Sequence, residues 1–255
     1  MSIKKILVSQ PKPSSTKSPY YEIAKRHDVE IVFRPFIMVE GLSAKEFRHA
    51  KINLADFTAV IFTSRHAVDH FFRLCEEMRV SVPDTMKYFC TSESIALYLQ
   101  KYIVYRKRKI FFGKTGKLDD PQLVAAIVKN SGEKFLFPIS DVHEDRVSVL
   151  DDNGIDYTKA VMYRTVSNDF TPDEPFDYDL LLFFSPAGID SLIKNFPQFD
   201  QEGQKVYIGT YGQTAAKAVT DAGLRLDYSA PTPQYTSMTA ALDAFLTRIN
   251  EKEED

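Results

Sequence analysis

Short apolar runs that feed stretches of helical spacing recur along the whole chain. The runs predict strands over 5–8, 30–33, 59–62, 87–90, 134–137, 159–163, 180–184 and 206–208. Between them, apolar residues three and four apart predict amphipathic helices over 67–77, 94–101, 145–153, 189–196 and 214–222. Gly154 and Gly223 stand just beyond two of these, where a left-handed residue closes a helix. Apolar strands alternating with helices are the mark of α/β units around a parallel sheet.

The pattern is said twice. KKILVSQP at 4–11 matches EKFLFPIS at 133–140, and VFRPF at 32–36 matches MYRTV at 162–166, with Phe33 opposite Tyr163 and Arg34 opposite Arg164. FTS at 62–64 answers FFS at 183–185, and KYFCTSESIALYL at 87–99 answers KVYIGTYGQTAAKAV at 205–219. DDPQLVAAIVKN at 119–130 answers TSMTAALDAFLT at 236–247. The expectation is two similar parallel-sheet, three-layer α/β domains, each about a hundred residues long, an ordinary domain size. Sheets of this kind take ligands beyond the carboxyl ends of their strands. Those ends carry Ser9, Thr63, Ser64, Thr91, Ser92, Ser140, Ser185, Gly209 and Thr210. Hydroxyls and amides at a helix start receive anions, although serine and threonine there also serve as ordinary N-caps.

Composition narrows the class. Of 255 residues 44% are hydrophobic and 26% charged, with a formal net charge of −3, which fits a globular protein and argues against general nucleic-acid binding. Two cysteines make neither a disulfide framework nor a metal spacing, so a cytoplasmic setting is expected. Lys4 and Lys5 precede an apolar run too short for a leader or a membrane span. His66 and His70 have a zinc-compatible spacing but lack the H-E-x-x-H glutamate and a third ligand, so no metal is expected. YRKRK at 105–109 reads as a solvated strand edge, GKTGK at 113–117 lacks the spacing of a phosphate loop, and EKEED at the end reads as a frayed terminus.

Taken in order, ILVSQP, IFTSRHAVDHF, FLFPISDVHEDRVSVLDDNGIDYTKAVMYRTV, LLLFFSPAGIDSLI, YIGTYGQTAAKAVTDAGLRLD and PTPQYTSMTAALDAFL resemble the uroporphyrinogen-III synthase family over almost the full length. The resemblance implies a discontinuous first domain (1–35 plus 168–255), a second domain (40–160), and a two-stranded linker near 33–40 and 161–168, with a cleft between the domains. It implies cyclisation of the linear tetrapyrrole hydroxymethylbilane, with inversion of the last ring and loss of water, and no cofactor. A monomer is expected, with at most a transient contact to the preceding pathway enzyme. The same cleft would also suit a non-catalytic two-lobed binding or regulatory protein for a carboxylated small molecule.

In the family the tyrosine matching Tyr163 lies at the cleft, and a phenol, with a reference pKa of about 10, is protonated at neutral pH and can donate to a leaving oxygen. The substrate carries many carboxylates, which makes Ser9, Gln10, Lys12, Thr63, Ser64, Arg65, Ser92, Ser140, Ser185, Gly209, Thr210, Gln213 and Thr214 its candidate contacts. Three places depart from the family pattern. Ser9-Gln10-Pro11 replaces Thr-Arg-Pro; Ile95 replaces the hydroxyl of Gly-x-x-Thr-Ala; and GTYGQTA carries an extra residue, leaving Thr214 and Ala215 as alternatives for the second motif.

Overall fold

The computed structural model describes residues 3–141 and 148–254. The chain divides into two compact units, one made of Met1–Met38 with Val166–Asp255 and the other of Val39–Thr165. The first unit opens with strand β1 (Lys5–Val8), helix α1 (Pro19–His27) and strand β2 (Glu30–Phe33). β3 (Ile37–Gly41) then leads into the second unit. That unit continues with α2 (Ala44–Phe47), β4 (Ala59–Phe62), α3 (Arg65–Glu77), β5 (Lys87–Cys90) and α4 (Glu93–Tyr98). It ends with β6 (Ile110–Phe112), α5 (Pro121–Lys129), β7 (Phe135–Ser140), α6 (Ser148–Asp152) and β8 (Tyr157–Ser167). The chain then finishes the first unit with β9 (Leu180–Phe183), α7 (Pro186–Asn195) and α8 (Gln201–Gln204). β10 (Tyr207–Tyr211), α9 (Gln213–Asp221), β11 (Tyr228–Ala230) and α10 (Met238–Glu254) complete it.

Strand order accounts for the repeated sequence. The first unit's sheet runs β11-β10-β9-β1-β2, and the second unit's runs β6-β5-β4-β7-β8 with β3 outside β8. Every matched pair of segments therefore holds the same rank: β1 and β7, β2 and β8, β9 and β4, β10 and β5. The first unit is a circular permutation of the second, because its β9–β11 half follows its β1–β2 half in sequence. The pairings β1–β2, β1–β9, β9–β10, β10–β11, β4–β5, β4–β7, β5–β6 and β7–β8 are all parallel.

Alternation along the strands builds two apolar layers in each unit. In β4, Val60 and Phe62 pack with α3 and α4, while Ala59 and Ile61 face α5 and α6. In β9, Leu181 and Phe183 pack with α7 and α9, while Leu180 and Leu182 face α1 and α10. A strand covered by helices on both faces has no polar side, which is why these strands read as unbroken apolar runs. Local chemistry ends the helices as the sequence predicts. Gly154 and Gly223 adopt φ of +62° and +73°, a conformation that costs glycine little.

Several boundaries differ from expectation. The strand expected at 206–208 is Tyr207–Tyr211, and that at 159–163 extends over Tyr157–Ser167. The strand expected at 134–137 runs Phe135–Ser140, and that at 180–184 stops at Phe183. Of the helix expected at 145–153, positions 145–147 lie outside the described residues, and the rest is Ser148–Asp152. YRKRK is a turn ahead of the edge strand β6, not a strand. The C-terminal acidic residues continue α10 as far as Glu254 rather than fraying.

Candidate active site

The carboxyl edge of the second unit's sheet gathers Thr63 and Ser64 after β4, Thr91 and Ser92 after β5, Ser140 at the end of β7 and Tyr163 in β8. Tyr163 reaches this edge through a β-bulge. The register of β7 against β8 runs from Phe135↔Tyr157 to Ile139↔Val161 and then shifts, so that Ser140 faces Tyr163 and Met162 is the extra residue. Consecutive strand residues normally point to opposite faces. Here Met162 and Tyr163 join the same apolar cluster, beneath α3, as a bulge permits.

The phenol is held by the helix that follows β4. Ser64 caps α3, its Oγ accepting from the backbone N–H of Ala67 at 3.0 Å. The same Oγ lies 3.1 Å from Tyr163 Oη. A serine hydroxyl has one proton and two acceptor sites. With one site occupied by Ala67, Ser64 can give its proton to Tyr163 Oη, which leaves the phenolic proton for an outside acceptor, or it can accept that proton. Tyr163 is only 8% exposed. Burial raises its pKa above the ordinary phenol value, against the opposing pull of the Ser64 hydrogen bond. The group is therefore a neutral acid across the physiological range.

His70 packs against the phenol. Its ring stacks on Tyr163 with centroids 5.2 Å apart and planes 23° from parallel. Arg73 Nε donates to His70 Nδ1 at 3.3 Å, which places the imidazole proton on Nε2. Burial, then the neighbouring Arg73 and His66, lower the His70 pKa and favour the neutral ring. Arg73 is fixed in turn by the Leu42 carbonyl at 2.6 Å. A side chain on Gly41 would stand 2.6 Å from both Arg73 Nη2 and His70 Nδ1, so β3 needs glycine there. The zinc-like spacing of His66 and His70 thus serves an aromatic wall. No group of three or more candidate metal ligands occurs among the described residues.

The remaining candidates in this unit are placed as follows. Thr63 is half-buried at the strand end, and Arg65 is exposed with its guanidinium 5.2 Å from the Tyr98 ring. Ser92 makes no cap hydrogen bond; its Oγ pairs with Ser94 Oγ at 3.1 Å. Ser140 is half-buried. Arg164, which follows Tyr163, is held by Glu40 at 2.9 Å and Glu46 at 3.0 Å. GKTGK resembles an anion loop for a different reason. The Asp120 carboxylate accepts from the amides of Lys114 and Thr115 in that loop, and from those of Gln122 and Leu123 in α5. The chain's own carboxylate fills the anion position.

The carboxyl edge of the first unit's sheet carries the other candidates. Ser9 is buried, its amide donating to the Leu182 carbonyl at 3.0 Å, whereas Gln10 and Lys12 are exposed in the following loop. Ser185 caps α7 through the Gly188 amide at 3.3 Å. Gly209 and Thr210 correct the expectation that they follow the strand end: both lie inside β10 and are buried. A side chain on Gly209 would stand 2.4 Å from the Tyr228 ring, so this glycine makes room for packing. Gln213 and Thr214 are exposed in the first turn of α9, whose cap residue Gly212, at φ +94°, offers no side-chain acceptor to the amides there. Matching Phe62 to Phe183 carries through the two strand registers and aligns Ile95 with Ala215, both buried, and Ser94 with Thr214, both exposed. The departures at Ile95 and Ala215 are therefore core positions, and Thr214 is the solvent-facing hydroxyl.

Sequence reasoning named Tyr163 and Ser64 but not their pairing, and it missed Gly41, His70 and Arg73 as supports. The pairing joins positions 99 residues apart.

Among solved structures, uroporphyrinogen-III synthetase from Helicobacter pylori is similar at 17% identity and a TM-score of 0.54, over 96% of this chain and 100% of that one. This likeness shows a shared fold. A mutant uroporphyrinogen III synthase from Thermus thermophilus matches at 13% identity and a TM-score of 0.48, over 96% and 99% of the two chains. No single curated protein matches the sequence. The sequence profile described as uroporphyrinogen-III synthase HemD covers residues 18–240, and the chain belongs to that family.

Proposed function

We propose that this enzyme of tetrapyrrole biosynthesis is a lyase that converts hydroxymethylbilane to uroporphyrinogen III, inverting the last pyrrole ring and releasing water. The family match over residues 18–240 carries the reading. The Tyr163–Ser64 pair supports a role for protein groups in the first step.

In that step the hydroxymethyl C–O bond breaks. The pyrrole nitrogen lone pair pushes out the hydroxyl, and Tyr163 supplies the proton that makes it water. The resulting azafulvene is attacked by the substituted carbon of the last ring, giving a spiro intermediate that fragments and recloses with the ring turned over. The proton lost as the final pyrrole regains aromaticity restores the phenol. A phenol raised by burial is a weak acid, so its contribution sits at the low end of general-acid catalysis, about 10²-fold. Holding the chain folded so that the unsubstituted closure is slower contributes the rest. Thr63, Ser64, Arg65, Ser92, Ser140, Ser185, Gln213, Thr214, Lys12 and Gln10 are the proposed donors for substrate carboxylates. Ser9, whose amide is taken by the Leu182 carbonyl, and Gly209 and Thr210, buried inside β10, are left out of the set.

Two free, buried cysteines, Cys75 and Cys90, support a reducing setting and hence the cytoplasm. No helix among the described residues is long and apolar enough to cross a membrane. We read the protein as a monomer. The test is to supply freshly made hydroxymethylbilane and separate the product isomers. Type III product rising with enzyme concentration is expected; type I alone at every concentration overturns the proposal.

A further inference from the structure

The opposite, amino-terminal edge of the second unit's sheet holds a cavity of about 360 Å³ that the proposed reaction does not use. Met86 just before β5, Tyr88 in β5 and Ile110 at the start of β6 line it, together with Phe72 of α3 and Tyr102. β5 and β6 run parallel, so this cavity and the Tyr163 edge lie at opposite ends of the strands. Phe72 and Tyr102 stack at 4.5 Å with planes 7° apart.

The mouth has a different chemistry. Arg106 and Lys109, from the YRKRK turn, line it beside Asp84. Lys107 and Arg108 of the same turn are exposed. The one acidic lining residue is weakly engaged: Arg106 Nη2 meets Asp84 Oδ2 at 3.4 Å, with the Asp84 side chain 87% exposed. Exposed pairs of this kind contribute little, so an incoming carboxylate can take the arginine at small cost. Val104, 78% exposed, forms an apolar lip.

We infer that this cavity is a second binding site, for a small planar aromatic acid whose rings enter the cavity and whose acidic group meets Arg106 and Lys109. The volume lies within the range of small-molecule pockets, about 300–1,000 Å³. A cavity of about 150 Å³ takes one benzene ring, so two fused rings fit here. A purely apolar ligand would leave Arg106 only its exposed pair with Asp84 and Lys109 only its bond to the Asp84 carbonyl. A purely ionic one would leave the aromatic walls unused.

Calorimetric titration with 2-naphthoate, 2-naphthylmethanol and inorganic phosphate tests the inference. Naphthoate is expected to bind at least about tenfold more tightly than the alcohol, the ratio that one charge-assisted contact supplies, and phosphate is expected not to bind. The double variant R106Q/K109Q should abolish the preference for the acid, and V82F, which fills the cavity, should abolish binding of both naphthalenes. Circular dichroism establishes that each variant is folded. Turnover of hydroxymethylbilane should be unchanged in all of them, which keeps this test separate from that of the proposed reaction. Equal affinity for acid and alcohol, phosphate binding as tight as naphthoate, absence of naphthoate binding, or full binding by V82F would each overturn the inference.

Discussion

The two units place the same strands in the same order, yet at the rank shared by β2 and β8 only the second carries a phenol. In the first unit the position of Tyr163 belongs to Phe33, which pairs with Val8 in unbroken register. Phe33 packs edge-on against Tyr20 and Tyr21 at 5.4 and 6.3 Å. In the second unit the register shift at Ser140 turns Tyr163 onto the α3 face, where Ser64 meets it. The arginines that follow diverge as well. Arg34 lies over Phe170 and pairs with Glu174, while Arg164 pairs with Glu40 and Glu46. The comparison shows a scaffold kept by its apolar alternation while one bulge and one hydroxyl separate the chemistry of its two copies.

The strongest test of scaffold equivalence is the core. Phe62 and Phe183 hold matching ranks in β4 and β9, and both are fully buried. F62A and F183A should each cost about 3–5 kcal/mol in chemical denaturation; if one were nearly neutral, the two positions would not be equivalent. The chemistry should differ next. Y163F is expected to lower kcat by about 10²-fold with type III product retained, whereas F33Y should leave kcat unchanged. In wild type, activity dependent on the phenol persists while it is protonated and falls only above its raised pKa, so the alkaline limb should lie above pH ~10 and vanish in Y163F.

Caps give a finer contrast. S64A and S185A each remove a helix cap, worth about 1 kcal/mol, in a thermal melt. Only S64A should also reduce kcat, with S185A acting on KM. The smallest effect concerns the loops before α5 and α10. Asp120 gathers four amides and is held well below the usual carboxylate range, chiefly by the Lys114 and Thr115 amides. The corresponding α10 start uses the Ser237 hydroxyl, which accepts from the Ala240 amide at 3.1 Å. A depressed carboxylate stabilises above its unfolded pKa, about 3.9, and that stability is lost as pH falls through its folded pKa. D120N should therefore lower Tm at pH 7 and converge with wild type in acid, whereas the deficit of S237A should not change with pH.

How much of this was legible in sequence follows from the range of the interactions. β1, β4 and β5 were bounded to the residue because strands buried on both faces carry the signal in nearly every position; the edge strand β2 was bounded by its short run of apolar residues, Ile31 to Phe33. β3, β6 and β11 were not anticipated, being short strands at or next to a sheet margin where polar and apolar residues mix. Tyr163 was singled out by the resemblance to the family, in which the matching tyrosine lies at the cleft. Its bulge was not, because it arises from pairing with β7 rather than from local preference. His66 and His70 announced a metal spacing, but only the folded chain shows the stacking on Tyr163 and the proton placed by Arg73.

The permuted arrangement also governs the order in which the molecule can be assembled during synthesis. The inserted unit is contiguous in the chain and can condense as soon as Thr165 has left the ribosome. β1, although made first, is a middle strand whose second neighbour, β9, follows only after the whole insertion. β1 thus waits with one edge open until β9 is made, and the insertion, by folding early, shortens the gap that its two ends must bridge.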